Sequence, residues 1–197
     1  MWLMAYRIRQ GLSVFLTGVI VKTMDDSLDY DIDHIAGKAV NPILSNPGIL
    51  PYTLLIFSVA CTLDGQTGGS LFFASFIIGM AGDFDTLMPS GLKGYQESLA
   101  LIFIGFFIFQ SKIFLSSLLA ILSFQLLDDI LDDKTERGYS QNWCSVLGKV
   151  EAVILSLIFF LATLLIDPYK YFMVIFSYFM INFTLNYIRP SRAKSGE

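Results

Sequence analysis

Asp25-Asp26-Ser27-Leu28-Asp29-Tyr30-Asp31-Ile32-Asp33 closes one apolar stretch of the chain, and Asp128-Asp129-Ile130-Leu131-Asp132-Asp133-Lys134-Thr135-Glu136 closes another. Written in register, the two windows share four acidic positions and a leucine, so one element is used twice. Asp26, Asp29 and Asp33 are spaced by three and then four residues, as are Asp129, Asp132 and Glu136. At 3.6 residues per turn each set of three carboxylates shares one helix face. Asp31 and Asp133 fall off those faces. Like charges at this spacing destabilise a helix, and the repulsion grows where the dielectric is low. A counter-charge is therefore required. The local bases Lys22, Lys38, Lys134 and Arg137 are too few, which points to a divalent cation. Carboxylate oxygens select Mg²⁺, Mn²⁺ or Ca²⁺ rather than zinc. Mg²⁺ characteristically binds through one or two carboxylates together with substrate phosphates.

Outward from the two windows the chain is apolar. Of its 197 residues 54% are hydrophobic and 15% charged, with a mean hydropathy of +0.62. Soluble domains carry about a quarter charged residues. About seven runs approach the roughly 20 apolar residues needed for a membrane span. They lie near 3–24, 43–62, 68–84, 96–110, 113–128, 149–166 and 171–188. The expectation is one all-α integral membrane domain over 1–197, a bundle of about seven spans around a central cavity. Pro42, Pro47 and Pro51 should break helix between the first two runs. Gly65, Gly68 and Gly69 read as a tight turn between the second and third, and Pro89, Gly91 and Gly94 as one between the third and fourth. The N-terminal apolar stretch runs straight into the first acidic window and does not read as a cleavable signal peptide.

Alternation of spans puts both acidic windows on one side of the membrane. That side also collects Lys38, Lys93, Lys134, Arg137, Lys149, Arg189, Arg192 and Lys194, against Lys112, Lys170, Arg7 and Arg9 on the other. The positive-inside rule then makes the aspartate side cytoplasmic. Arg189, Arg192 and Lys194 read as an anchor to anionic lipid. Ten of the 17 acidic residues sit in the two windows. That bias argues against a nucleic-acid partner, whose phosphates need basic surface. Cys61 and Cys144 match no metal or redox spacing and read as packing residues. His34, the single histidine, reads as an incidental neighbour of the first window. Asp83 and Asp85, near the end of the third run, read as interfacial caps with a metal or acceptor role as the alternative.

The first window and its continuation to Lys38 and Pro42 resemble the first aspartate motif of UbiA-type membrane prenyltransferases. The second window is similar to their second motif, and Val146-Leu147-Gly148-Lys149 to the stretch that reopens the next helix. Leu92-Lys93-Gly94 is similar in position to the family's Lys-Arg segment. The resemblance covers roughly residues 10–188. Departures are specific: Asp25 and Asp128 stand where the family has asparagine, Glu136 ends the second motif, and Gly94 replaces a basic residue. Asn41 precedes Pro42 where a basic residue is usual. The family pattern also adds one span before the first motif and one at the end. The aspartate motifs are similar, too, to those of soluble isoprenyl diphosphate synthases.

The resemblance implies a UbiA-like bundle holding Mg²⁺ (or Mn²⁺) between the motifs, with an isoprenyl diphosphate on the metal. The implied ligands are Asp26, Asp29, Asp33, Asp129, Asp132 and Glu136, with Asp26, Asp29, Asp129 and Asp132 serving catalysis. Asp25, Asp128, Lys38, Lys93, Lys134 and Arg137 would contact the diphosphate. The implied reaction transfers a prenyl group to an aromatic or other lipophilic acceptor within the membrane and releases diphosphate. Tyr6, Tyr95, Phe124, Tyr139, Tyr178 and Tyr187 are available for cation–π contact with an allylic cation, with bulk packing the plainer role. Three alternatives stand beside transfer: a membrane terpene cyclase using the same motifs, a catalytically impaired relative, and a cation transporter with acidic mouths. The last lacks mid-span acids for a pathway. Partners are the membrane lipid and, for sealing the cavity, a second copy of the chain.

Overall fold

A single aspartate ends one helix and caps the next at two places in this chain, and those two places organise the fold. The computed structural model describes residues 2–28, 30, 46, 48–82, 85–132 and 147–188. Among them every regular element is an α-helix: α1 Trp2–Leu28, α2 Ile49–Gly82, α3 Gly94–Ile108, α4 Ser111–Asp132, α5 Lys149–Ile166 and α6 Pro168–Ile188. Three helices are long and apolar enough to cross a membrane, over Ile49–Gly79, Ser111–Ile130 and Lys149–Ile166. This composition is that of an all-α membrane protein. Asn41, Pro42 and Pro47 lie outside the described residues. Pro51 sits in the first turn of α2, where a missing N–H removes no helical bond.

The bend inside α2 falls at Asp64 (φ −154°, ψ 91°). Its carboxylate accepts from the Thr67 N–H at 3.1 Å and the Thr67 hydroxyl at 2.9 Å. The bend is sharp: a Cβ on Gly68 would lie 3.6 Å from the Ala60 carbonyl oxygen. In a straight helix those residues would be about 12 Å apart along the axis. Gly65, Gly68 and Gly69 are helical, so the glycine turn expected from sequence is instead an aspartate break. Asp167 does the same between α5 and α6. It adopts φ −147°, ψ 84°, its N–H donates to Thr163 O at 2.9 Å, and its carboxylate accepts from the Lys170 N–H at 3.1 Å. A short acceptor side chain at the start of a helix satisfies an otherwise orphaned N–H.

Asp64 and Asp167 are 103 residues apart, the same offset as Asp26 and Asp129. The offset continues into packing. Gln10 Nε2 donates to Thr67 Oγ1 at 3.5 Å, and the residues 103 positions on, Ile113 and Lys170, are joined by Lys170 Nζ donating to Ile113 O at 2.8 Å. The 103-residue offset of the acidic windows therefore also relates Asp64 to Asp167 and the Gln10–Thr67 contact to that of Ile113 with Lys170.

Packing divides the chain into two compact units, residues 1–68 with 172–197 and residues 69–171. In the first, α1 lies close against the bend of α2. A Cβ on Gly68 would stand 2.5 Å from Ser13 Oγ, so only glycine admits that approach. Arg9 donates to Leu63 O at 3.1 Å and Thr62 O at 3.3 Å, the carbonyls just before the bend. Gly18 faces Ile181 of α6. In the second unit α4 packs on α5 through Leu126, Ala152, Ile130, Leu155 and Phe159. Phe114 is fully buried with Ala74, Ile77 and Leu118. Lys170, counted as a loop charge in the sequence, is fully buried in the first turn of α6, and its ammonium also donates to Ser117. It therefore contributes no loop charge to orientation.

Buried Thr17 has an Oγ1 with no hydrogen-bond partner, and its counterpart 103 residues on is the buried Ala120. A buried hydroxyl left unpaired costs about 1–3 kcal/mol, which offsets the contacts of the atoms it adds. Thr17→Ala is expected to leave the melting temperature in detergent unchanged or slightly raised. A drop of more than a few degrees would show that the hydroxyl is satisfied.

Candidate metal and diphosphate site

α1 carries the first acidic window on its last turn. Asp25 is exposed and Asp26 half-buried. One turn earlier, Lys22 reaches both, at 3.3 Å from Asp25 Oδ2 and 2.9 Å from Asp26 Oδ1. Lysine at i with acids at i+3 and i+4 lies directly beneath them on the helix surface. Lys22 is therefore the local counter-charge for this end of α1. Sequence reasoning counted it only as one nearby base. Its i, i+4 spacing to Asp26 is the signal that identifies its partner.

The last turns of α4 carry the second window. Asp128 and Asp129 are half-buried, and Asp132 is the last residue of the helix. Gln125, the counterpart of Lys22, donates through Nε2 to Asp129 Oδ1 at 3.4 Å. The two windows are thus alike in carboxylate placement and unlike in the group beneath them. A cation supports the first from within α1, and a neutral amide stands at the same place in α4.

Lys93 precedes α3, its N–H donating to Gln96 Oε1 at 3.1 Å. Its ammonium pairs with Asp85 Oδ1 at 3.1 Å. The hydrogen bond to Asp85, followed by that carboxylate's field, pushes the Lys93 pKa up. Asp85 thus serves as a partner for Lys93. The turn is closed by Gly91 at φ +80°, a conformation that favours glycine. Asp29, Asp33, Lys38, Lys134, Glu136 and Arg137 lie outside the described residues, as do His34, Asp83, Tyr139 and the side chains of Asp132 and Tyr187. Among the described residues no three acidic, histidine or cysteine side chains come together as a metal-ligand group.

The aromatic candidates sit mainly in packing roles. Phe124 lies 6.0 Å from Tyr171, which meets Phe160 edge-on at 5.0 Å and lies within hydrogen-bond reach of Ser123 at 3.1 Å. Tyr178 meets Phe179 edge-on at 5.8 Å. Tyr6 is exposed. Cys61 is a free, half-buried thiol in α2.

No family model, curated protein or solved structure matches this chain.

Proposed function

We propose that the chain is a multi-pass membrane transferase of the UbiA type, binding an isoprenyl diphosphate through Mg²⁺ at its two acidic windows. The shared register of the two windows carries this reading. Two DD-x-x-D sequences lie in the same register 103 residues apart, with Asp25 and Asp26 on the last turn of α1 and Asp128 and Asp129 near the end of α4. Solvated acidic loops would have no reason to keep the same register in both copies.

The donor chemistry fits the ion. Asp25, Asp26, Asp128 and Asp129 offer hard carboxylate oxygens at helix ends, the ligand type of Mg²⁺. Asp29, Asp33, Asp132 and Glu136 continue those faces in sequence. The ion, when bound, neutralises charge on the departing diphosphate. The carboxylates hold it, while Lys93, Lys38, Lys134 and Arg137 add positive charge for the phosphate oxygens. Helices rich in Phe, Leu and Ile suit a lipophilic tail and keep water from an allylic cation. A lipophilic acceptor, or an internal double bond in the cyclase alternative, takes that cation. Both windows would face the cytoplasm, by the excess of Lys and Arg on their side.

The test is release of inorganic diphosphate by the purified protein, supplied with prenyl diphosphates of several lengths and Mg²⁺. Release that needs no divalent cation, or no release with any chain length, would sink the reading. A hydrocarbon or terpene alcohol formed without acceptor would establish cyclisation in place of transfer.

Lys22 makes a separate prediction. A cation entering the first window must compete with its ammonium. Removing a competing ion pair worth about 0.5–1 kcal/mol changes affinity by roughly two- to fivefold. Lys22→Gln is therefore expected to tighten Mn²⁺ binding by about that factor, measured by the paramagnetic resonance of free Mn²⁺. Unchanged or weaker binding would show that Lys22 does not compete.

A further inference from the structure

Lys93 and the second acidic window meet at one end of the same helix pair. Two residues join α3 to α4, so the helices run antiparallel. The ring of Phe114 in α4 sits over Gly105 in α3, which fixes their relative height. Counted away from that contact, Gly94 is eleven residues along α3 and Gln125 eleven along α4, about 16 Å in each case. The face agrees as well as the height. Phe114, Leu118, Ile121 and Gln125 recur at intervals of four, three and four residues, one stripe of α4. The first three belong to one core cluster with Leu101 and Ile102 of α3. Gln125 continues that stripe to the level where α3 begins, and its amide donates to Asp129 Oδ1 at 3.4 Å. The Gln125–Asp129 pair therefore stands at the start of α3, where Lys93 is the preceding residue.

The segment before α3 fixes Lys93. Thr86 to Gly94 fold back as a short hairpin. Leu87 pairs with Lys93, the Met88 N–H donates to Leu92 O at 2.8 Å, and the Gly94 N–H donates to Thr86 O at 3.1 Å. Side chains alternate along such a strand, so Asp85 and Leu87 share the face of Lys93. The Asp85 carboxylate meets the Lys93 ammonium there at 3.1 Å. Both side chains stay open to solvent, 47% exposed for Lys93 and 79% for Asp85. An ammonium carries three protons. Among the described residues the Asp85 contact uses one, which leaves donors for a phosphate.

Resting on the diphosphate reading proposed above, we infer that Asp85 is a positioning residue: it holds the Lys93 ammonium at the second acidic window, where it meets the phosphate oxygens of the substrate. Simple charge and positioning give opposite signs. As a bare negative charge near an anion, Asp85 would weaken binding, and its removal would tighten it. As the partner that fixes Lys93, its removal frees a long side chain and weakens binding.

The experiment measures binding and not turnover. It uses the full chain in lipid nanodiscs, Mg²⁺, and radiolabelled prenyl thiolodiphosphates of several lengths, which bind without ionising. Lys93→Gln is expected to weaken binding about tenfold, the worth of a hydrogen bond to a charged group. Asp85→Asn should weaken it about two- to fivefold, the range of an exposed ion pair, and should have no further effect in Lys93→Gln. Asp85→Glu keeps the carboxylate and should stay within about twofold of wild type. Binding by Asp85→Asn as tight as wild type or tighter would overturn the inference. An equal loss with and without Lys93 would overturn it too, as would a loss in Asp85→Glu as large as in Asp85→Asn. No binding of any analogue by the wild-type chain with Mg²⁺ would remove the diphosphate reading, and this inference with it.

Discussion

Alanine at Asp26 or at Asp129 is expected to lower Mg²⁺-dependent diphosphate release by about a hundredfold or more. Each removes the second acid of its DD pair. A metal that stabilises a leaving group's charge is worth several kcal/mol, and each 1.4 kcal/mol is a factor of ten in rate. The size of the effect separates ligation from surface charge. An exposed carboxylate acting only through long-range field changes little at physiological salt. Asp31→Ala and Asp133→Ala provide that comparison. They remove the same charge from the same windows but lie off the shared faces, and release should stay within about threefold of wild type. Equal losses in all four variants would mean that the windows act as undifferentiated charge. Release that survives both Asp26→Ala and Asp129→Ala would remove the metal from the mechanism.

The acidic windows announced a repeat in sequence, yet its extent did not show there. Leu63-Asp64-Gly65-Gln66-Thr67 and Ile166-Asp167-Pro168-Tyr169-Lys170 share only the aspartate. That residue suffices, because one carboxylate caps a helix whatever follows it. The glycines at 65, 68 and 69 drew attention to the right place for the wrong reason. Gly68 is there to let Ser13 approach, and the chain turns at Asp64. Lys170 misled in the same way. Three residues past Asp167 it reads as a loop charge, but its ammonium lies buried among Ile113 O, Ser116 and Ser117. The phenylalanines were illegible for a general reason. Phe114 is fully buried and Phe107 is 91% exposed, seven residues apart in adjacent apolar runs. Lipid and core are equally apolar, so hydropathy does not separate them.

Gly105→Ala is expected to destabilise the second unit by about 1–3 kcal/mol, the usual penalty for inserting a methyl group into a packed core. Gly105 is buried in α3, and a Cβ there would run into the ring of Phe114 from α4. That ring has little room to yield. It meets Phe106 edge-on at 5.1 Å and stacks on Phe109 at 5.8 Å, with Phe73 at 6.1 Å. Two effects oppose each other. Alanine gains about 1 kcal/mol of helix propensity over glycine, while the overlap with a ring that cannot rotate away exceeds that gain. The net is a fall in melting temperature of roughly 2–10 °C for a chain of this size. Phe114→Leu discriminates between the causes. Leucine vacates the space over Gly105, so in Phe114→Leu the added methyl group should cost little or be favourable. The two changes should then be less harmful together than their separate effects summed, by about 0.5–3 kcal/mol. Strict additivity in a thermal-shift series of the four proteins would mean that Gly105 is there for a reason other than the approach of Phe114.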